Sequence, residues 1–138
     1  MDIREFEEKN RLAVIDLWHQ CQLVSPTNDP DKDIDRKLRR DPELFLVGHI
    51  GETVISTVMG GYEGHRGWIN YLAVHPQHQR RGYAKALMDA IEQRLLDIGC
   101  PKINLQVRTS NQNVIGFYNT IGYQVDPVTS FGKRLIKD

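Results

Sequence analysis

The sequence has no excess charge of either sign, no long apolar run and few cysteines, and each absence excludes a class of function. Lys plus Arg number 18 and Asp plus Glu number 18, so the net charge favours neither nucleic acid nor an anionic membrane as a partner. No apolar run reaches the ~20 residues of a membrane helix, and the charged N-terminus lacks the apolar core of a signal peptide. We therefore expect a cytoplasmic protein.

Metal and disulfide motifs are also missing. Cys21 and Cys100 stand alone without a C-x-x-C or other ligand spacing, which is typical of two reduced thiols. His75 and His78 flank a proline turn with no third ligand nearby in the sequence, so we expect no metal. With 138 residues, 40% of them hydrophobic and 26% charged, the chain has the size and composition of one globular domain, residues 1–138.

The stretch from Trp68 to Leu96 organises the chain. Trp68–Val74 is apolar on both faces, which indicates a strand covered on both sides of a sheet, and the next residues, His75-Pro76, end it. The helix that follows has apolar residues at a spacing of three and four: Ala84, Leu87, Met88, Ile91, Leu95 and Ile98. Between the strand and the helix, Gly82 lies among cationic side chains at a helix N-terminus, where free amides and the helix dipole attract anions. This turn is typical of a phosphate site.

The remaining periodicities predict an α/β arrangement around one mixed sheet, in the order β-α-α-β-β-β-α-β-α-β-β. The predicted strands are Asp2–Phe6, Glu43–Ile50, Thr53–Gly60, Trp68–Val74, Lys102–Val107, Tyr123–Val125 and Phe131–Ile136. Helices are predicted at about 10–23, at Pro30–Arg40 with Asp29 as its cap, after Gln79–Ala84, and from Asn111 to Gly122. The strands on either side of the third helix should be parallel. Trp18 is either a core residue or part of a binding site, and the loop Gly60–Gly67 is either a plain hairpin or the rim of an acceptor site.

Two motifs carry a family resemblance. Neither the P-loop pattern nor G-x-G-x-x-G occurs, but Gln79–Ala84 (Q-R-R-G-Y-A) resembles the Q/R-x-x-G-x-G/A signature of the GNAT acetyltransferase superfamily. The second motif resembles N-x-x-A-x-x-[FL]-Y-x-x-x-G-[FY], in which Asn111, Phe117, Tyr118, Gly122 and Tyr123 match and Val114 stands where alanine is usual. The resemblance covers essentially the whole chain. Several loops, including the one that starts Met59-Gly60-Gly61-Tyr62, resemble the small bacterial branch labelled YpeA.

The resemblance implies the GNAT acyl-CoA N-acyltransferase fold, with a mixed sheet of about seven strands flanked by four helices, and acetyl-CoA as cosubstrate without a metal. In that family the signature turn holds the pyrophosphate, and the pantetheine arm pairs with the central strand. The implied cofactor-binding residues are Leu72, Ala73, Val74, Gln79, Arg80, Arg81, Gly82, Tyr83, Ala84, Lys85, Asn111, Phe117 and Tyr118. The implied reaction is transfer of the acetyl group to a primary amine by direct attack in a ternary complex.

Catalytic and acceptor residues follow from the same resemblance. Tyr118 occupies the position of the general acid, and a phenol of pKa ~10 is protonated at neutral pH. Some relatives carry a glutamate where this chain has Trp68; Glu63 is the nearest alternative base, or else a solvated loop carboxylate. The candidate acceptor residues are Asn28, Asp29, Glu63, His65, Arg66 and Asn70. The acidic run Asp29, Asp31, Asp33 and Asp35 either favours a cationic amine or is a solvated helix start. The acceptor itself, a small molecule, a peptide N-terminus or a lysine, stays open, as does the choice between monomer and homodimer. The alternative function is a CoA-binding sensor without turnover.

Overall fold

A five-stranded mixed sheet organises the first of two units in the computed structural model, which describes all 138 residues as units Met1–Leu105 and Gln106–Asp138. The strands are β1 (Asp2–Glu5), β2 (Phe45–Ile50), β3 (Thr53–Tyr62), β4 (Gly67–Val74) and β5 (Ile103–Asn104). They lie side by side in chain order; β4 and β5 are parallel and the other pairs are antiparallel. The parallel pairing predicted for the strands on either side of the third helix is confirmed.

Four α-helices accompany the sheet. They are α1 (Arg11–Gln20), α2 (Pro30–Arg40), α3 (Tyr83–Asp97) and, in the second unit, α4 (Gln112–Thr120). Helix α2 begins as predicted, because Asp29 accepts hydrogen bonds from the amides of Asp31 and Lys32 and proline occupies the first helical position. No helix is both long enough and apolar enough to cross a membrane.

The sheet of the first unit is covered on both faces. Met59 of β3 belongs to the buried cluster formed with α1 and α2, which includes Trp18 and Ile34. The next residue, Gly60, points the opposite way, because successive strand residues alternate between faces. A Cβ at Gly60 would lie 2.6 Å from the Ile91 side chain of α3, so glycine permits this helix to pack closely. Helices α1 and α2 therefore cover one face and α3 the other.

The predicted mixed sheet and the order of elements through α4 are confirmed, but the predicted number of strands is wrong. Tyr123–Val125 and Phe131–Ile136 form no strands, and Lys102–Val107 contributes only the two residues of β5. Alternation of apolar residues marks a strand only where a neighbouring strand supplies ladder hydrogen bonds. The side chains of the last segment are instead exposed, Phe131 by 92% and Leu135 by 87%.

Candidate active site

Strand β4 contains a β-bulge midway along its length. Thr57 and Met59 of β3 are paired with Ala73 and Asn70 of β4, so two residues of β4 lie opposite the single residue between them in β3. Tyr71, one of the two, has a φ of 52°, a left-handed conformation that bulky residues rarely adopt. A bulge bends its strand and disrupts the ladder locally, so β4 changes direction beside Tyr71.

A buried tryptophan and a buried threonine fix this bulge. The Trp18 Nε1 group donates a hydrogen bond to Thr57 Oγ1 at 2.9 Å, and that hydroxyl donates to the Tyr71 carbonyl oxygen at 2.8 Å. The rings of Trp18 and Tyr71 are stacked, with their centroids 3.7 Å apart. Trp18 and Thr57 are both fully buried. The interpretation of Trp18 as a core residue is confirmed. The sequence did not predict that this residue also contacts the bulge.

The second half of β4 has one open edge. Strand β5 pairs with β4 only through Gly67 with Ile103 and Trp68 with Asn104, so no strand accompanies Leu72–Val74 on that side. Such an edge can pair with an extended ligand through main-chain hydrogen bonds. The three residues predicted to contact pantetheine, Leu72–Val74, thus lie on a strand edge that no other strand covers.

The turn after β4 brings the signature residues back against the strand. The side-chain amide of Gln79 donates to the Val74 carbonyl oxygen at 3.0 Å, which ties the turn to the end of β4. Arg80 and Gly82 both have positive φ, 62° and 81° respectively. For Gly82, which is the N-cap of α3, glycine removes the steric cost of that conformation.

The amides that follow have no acceptor in the protein. None of the five backbone N–H groups from Arg81 to Lys85 donates a hydrogen bond, and the first α3 amide that does is Ala86, which donates to the Gly82 carbonyl at 3.1 Å. The space beside Gly82 is empty, because a Cβ built there meets no atom within 4 Å. Lys85 donates to Asp89 at 2.7 Å, a hydrogen bond that raises the pKa of Lys85. Free amides, a helix N-terminus and exposed cationic side chains together suit an anion.

Helix α4 carries the second motif in the other unit. Asn111 caps it as predicted, accepting a hydrogen bond from the Val114 amide at 3.3 Å. The Tyr118 side chain is 8% exposed and lies edge-on to the rings of Phe117 and Tyr123. Burial raises the pKa of Tyr118 to about 12, because the phenolate is desolvated there. The phenol therefore keeps its proton at every pH near neutrality.

A cavity of about 480 Å³ adjoins the bulge, and Asn70 and Tyr71 form part of its wall. This volume lies in the range of small-molecule sites. The charged side chains that line it are Asp33, Arg36, Lys37, Arg40, Asp41 and Glu63. The cavity thus brings together two predicted acceptor residues, Asn70 and Glu63, with Asp33 of the acidic run and with three cationic side chains of α2 that were not predicted to take part.

The other predicted acceptor residues have local structural roles. His65 and Arg66 donate their amides to the Glu63 carboxylate, which closes the hairpin between β3 and β4. These two hydrogen bonds lower the pKa of the exposed Glu63 side chain, so its carboxylate is a weak proton acceptor. Asp29 is the α2 cap, and Asn28 is the one of this group that contacts the cavity wall, since it donates to the Tyr71 hydroxyl at 2.7 Å.

Sequence reasoning missed two of the residues that shape this wall, Tyr71 and Thr57, and it considered Asp33 only as a member of the acidic run on α2. The Tyr71 hydroxyl donates to Asp33 Oδ2 at 2.6 Å, across 38 positions of sequence. No local pattern signals such a pair, because both residues satisfy the ordinary periodicity of their own elements. Of the four hairpin glycines, to which we gave two interpretations, only Gly64 lies in the turn, and Gly60, Gly61 and Gly67 lie in strands β3 and β4.

Comparisons with known proteins agree with this geometry. The model of the Acetyltransferase (GNAT) family matches residues 11–123. An acetyltransferase of Yersinia pestis (strain Pestoides F) is 49% identical over 138 residues, which is 100% of this chain and 98% of the relative. The crystal structure of Ard1 from Thermoplasma volcanium is similar with a TM-score of 0.78 at 26% identity, over 91% of this chain and 83% of that one.

A second solved structure has the same fold. PaiA N-acetyltransferase from Thermoplasma acidophilum, solved in complex with coenzyme A, has a TM-score of 0.79 at 17% identity and covers 93% of this chain and 92% of its own. The match of the family model extends from α1 through the signature turn to the end of the second motif. This chain therefore belongs to the acetyltransferase (GNAT) family of acyltransferases.

Proposed function

We propose that the protein transfers the acetyl group of acetyl-CoA to a primary amine, by direct attack of the amine within a ternary complex. The observation that carries the proposal is the row of five amides without acceptors, Arg81 to Lys85, at the start of α3. A pyrophosphate would accept hydrogen bonds from these groups and benefit from the positive end of the helix dipole. The coenzyme A bound in the Thermoplasma acidophilum structure, which has the same fold, supports this choice of anion.

The pantetheine arm would lie along the open edge of β4. Its amide groups can exchange hydrogen bonds with the main chain at Leu72–Val74, where β5 no longer accompanies the strand. This direction leads from the signature turn toward the bulge at Tyr71. A backbone N–H of this segment would face the thioester oxygen, and one such donor typically contributes ~10²–10³ in rate.

The chemical step needs one proton donor and one proton acceptor. The amine nitrogen attacks the thioester carbon, the tetrahedral intermediate collapses, and the carbon–sulfur bond breaks with its electron pair leaving on sulfur. We assign Tyr118 as the group that protonates this thiolate. Its pKa of about 12 keeps the phenol protonated until the carbon–sulfur bond breaks. Transfer of this proton to a thiolate whose thiol has a pKa of ~8.5 is uphill, so we propose that the Tyr118 phenolate at once takes a proton from water, which completes the step.

The proton lost by the amine has no dedicated acceptor among the predicted residues. Glu63 is exposed, and its carboxylate is held by two amides that lower its pKa. We therefore propose that the ammonium form loses one proton to solvent before attack, as the deprotonated fraction of an amine of pKa ~10 allows. The nitrogen loses a second proton to solvent after attack, and this loss balances the proton that the thiolate gains. Replacement of Glu63 by glutamine should then leave the pH dependence of the reaction unchanged.

Calorimetry and thiol release test the proposal together. Acetyl-CoA and acetyl-pantetheine, which lacks the pyrophosphate, should differ in affinity by at least a factor of 100 if the free amides bind that group. Release of free CoA thiol is then measured across a panel of primary amines. Equal affinity for the two donors would remove the pyrophosphate site. Tight binding of acetyl-CoA without thiol release from any amine would support the sensor function instead.

A further inference from the structure

The charges that line the cavity beside the bulge are partly neutralised within the protein. Lys37 Nζ lies 2.5 Å from Asp41 Oδ1, and the two side chains are only 12% and 16% exposed. The same ammonium group donates to the carbonyl oxygen of Gly60. Lys37 and Asp41 therefore neutralise each other, and Lys37 also binds the main chain. A charged ligand would be recognised by the other charged side chains of the wall.

At the end of the cavity next to the bulge, the wall presents a carboxylate. Asp33 Oδ2 accepts the hydroxyl of Tyr71 at 2.6 Å, and this hydroxyl in turn accepts the side-chain amide of Asn28 at 2.7 Å. Arg36 reaches Asp33 Oδ1 only at 3.3 Å. The carboxylate is thus oriented toward the residues of β4 where the proposed function places the thioester. An ammonium group would be stabilised there.

At the other end of the cavity, the wall presents a guanidinium group. Arg40, the last residue of α2, is exposed, and its guanidinium group makes no hydrogen bond or ion pair within the protein. It lies seven residues after Asp33 on the same helix, which places the two on one face about 10 Å apart along the axis. The planar guanidinium group suits a carboxylate, which it can bind through two parallel hydrogen bonds.

From this arrangement, and resting on the proposed function, we propose that the acceptor carries a carboxylate several bonds away from its amine, as an amino acid with a side-chain amine or a short peptide does. The amine lies at the Asp33 end, beside the bulge, and the carboxylate binds Arg40. A diamine or polyamine would instead place a second cation against Arg40. An alkylamine without a second charged group would leave the Arg40 guanidinium group without an ionic partner. It would therefore bind more weakly than an acceptor that carries a carboxylate.

Three probes of equal length separate these cases: 6-aminohexanoate, hexylamine and 1,6-diaminohexane. Thiol release from acetyl-CoA should be at least tenfold faster, as kcat/KM, with 6-aminohexanoate than with the other two. Arg40→Gln should lower this value at least tenfold and leave hexylamine within twofold of its original rate. Arg39→Gln is the matched control, because it removes the neighbouring charge on α2 from a side chain that does not line the cavity. The control should keep the preference for the amino acid.

Binding measurements test the same preference without requiring the protein to turn over the probe. The three probes are titrated by calorimetry into the protein with and without CoA, and 6-aminohexanoate should bind at least tenfold more tightly than the other two. Equal binding of the three, a preference for the diamine, no binding of any probe, or equal effects of Arg39→Gln and Arg40→Gln would each overturn the inference. Failure of the proposed function shows differently, as loss of the affinity difference between acetyl-CoA and acetyl-pantetheine.

Discussion

Replacing Thr57 with valine tests whether the contact between α1 and the bulge stabilises the fold. Valine has nearly the shape of threonine but cannot form hydrogen bonds. The Trp18 Nε1 group, which is fully buried, would lose its acceptor at 2.9 Å, and the Tyr71 carbonyl oxygen would lose a donor at 2.8 Å. A buried polar group without a partner costs about 1–3 kcal/mol, and a lost neutral hydrogen bond about 1 kcal/mol. We expect the free energy of unfolding to fall by about 2–3 kcal/mol.

Urea and thermal unfolding, followed by circular dichroism, measure this change, and the expected loss corresponds to roughly 10 °C in Tm. Ser56→Ala is the matched control. Ser56 is the adjacent buried hydroxyl of β3, but its partner is only the sulfur of Met1 at 3.2 Å, so its loss should cost less than about 1 kcal/mol. Thr57→Ser keeps the hydroxyl and should lose only about 1 kcal/mol, the contribution of its buried methyl group. If valine at position 57 costs no more than alanine at position 56, the reasoning about the bulge is refuted.

Three further predictions concern the donor site, the acid and the cavity. Gly82→Ala should weaken acetyl-CoA binding at least tenfold in calorimetry, because its methyl group enters the empty space at the free amides, whereas Gly99→Ala, also at a positive φ with open surroundings, should not; equal losses would contradict this. Tyr118→Phe should keep acetyl-CoA affinity and lower kcat at least tenfold. Because burial raises the pKa of Tyr118 to about 12, the wild type should also lose stability as pH rises from about 10 to 12, where the unfolded chain gives up its proton first, and the variant should lack that loss. Asp41→Asn leaves the largely buried Lys37 ammonium without its carboxylate and should lower the free energy of unfolding, measured in urea, by ~3 kcal/mol; an unchanged midpoint would contradict the role of the pair.

Local patterns predicted most of the fold because the spacing of apolar residues within a segment differs between a helix and a strand. The run of apolar residues at Trp68–Val74 indicated β4, and the spacing on α3 placed its buried face, including Leu87 and Ile91, correctly. Prediction failed for the last two strands because a strand depends on a partner that its own sequence does not contain. Lys102–Val107 alternates as a strand does, yet only Ile103 and Asn104 pair with β4, and the side chains of Phe131 and Leu135 farther on lie exposed.

The candidate site also has one part that its local sequence predicted and one part that it did not. The turn at Gly82 could be predicted, because glycine before an amphipathic helix has a direct conformational meaning. The bulge could not, since a positive φ at a tyrosine results from contacts with Trp18 and Thr57 that are distant in sequence. Asp33 was visible only as one member of an acidic run, and its contact with Tyr71 exists only once α2 lies against the sheet.

This difference follows from how each ligand would be held. The donor is proposed to bind through main-chain amides, which any sequence that forms the turn and the helix can supply. A short motif is therefore enough to predict the donor site. The acceptor would be chosen by side chains on α2, a helix whose apolar contacts with the core come from Ile34 and Leu38. Because Arg40 is exposed and its guanidinium group has no partner in the protein, this position can change without disturbing the sheet. Proteins that share the donor site can therefore differ in the amines they accept, and the cavity beside the bulge, rather than the family motif, is where the acceptor must be sought.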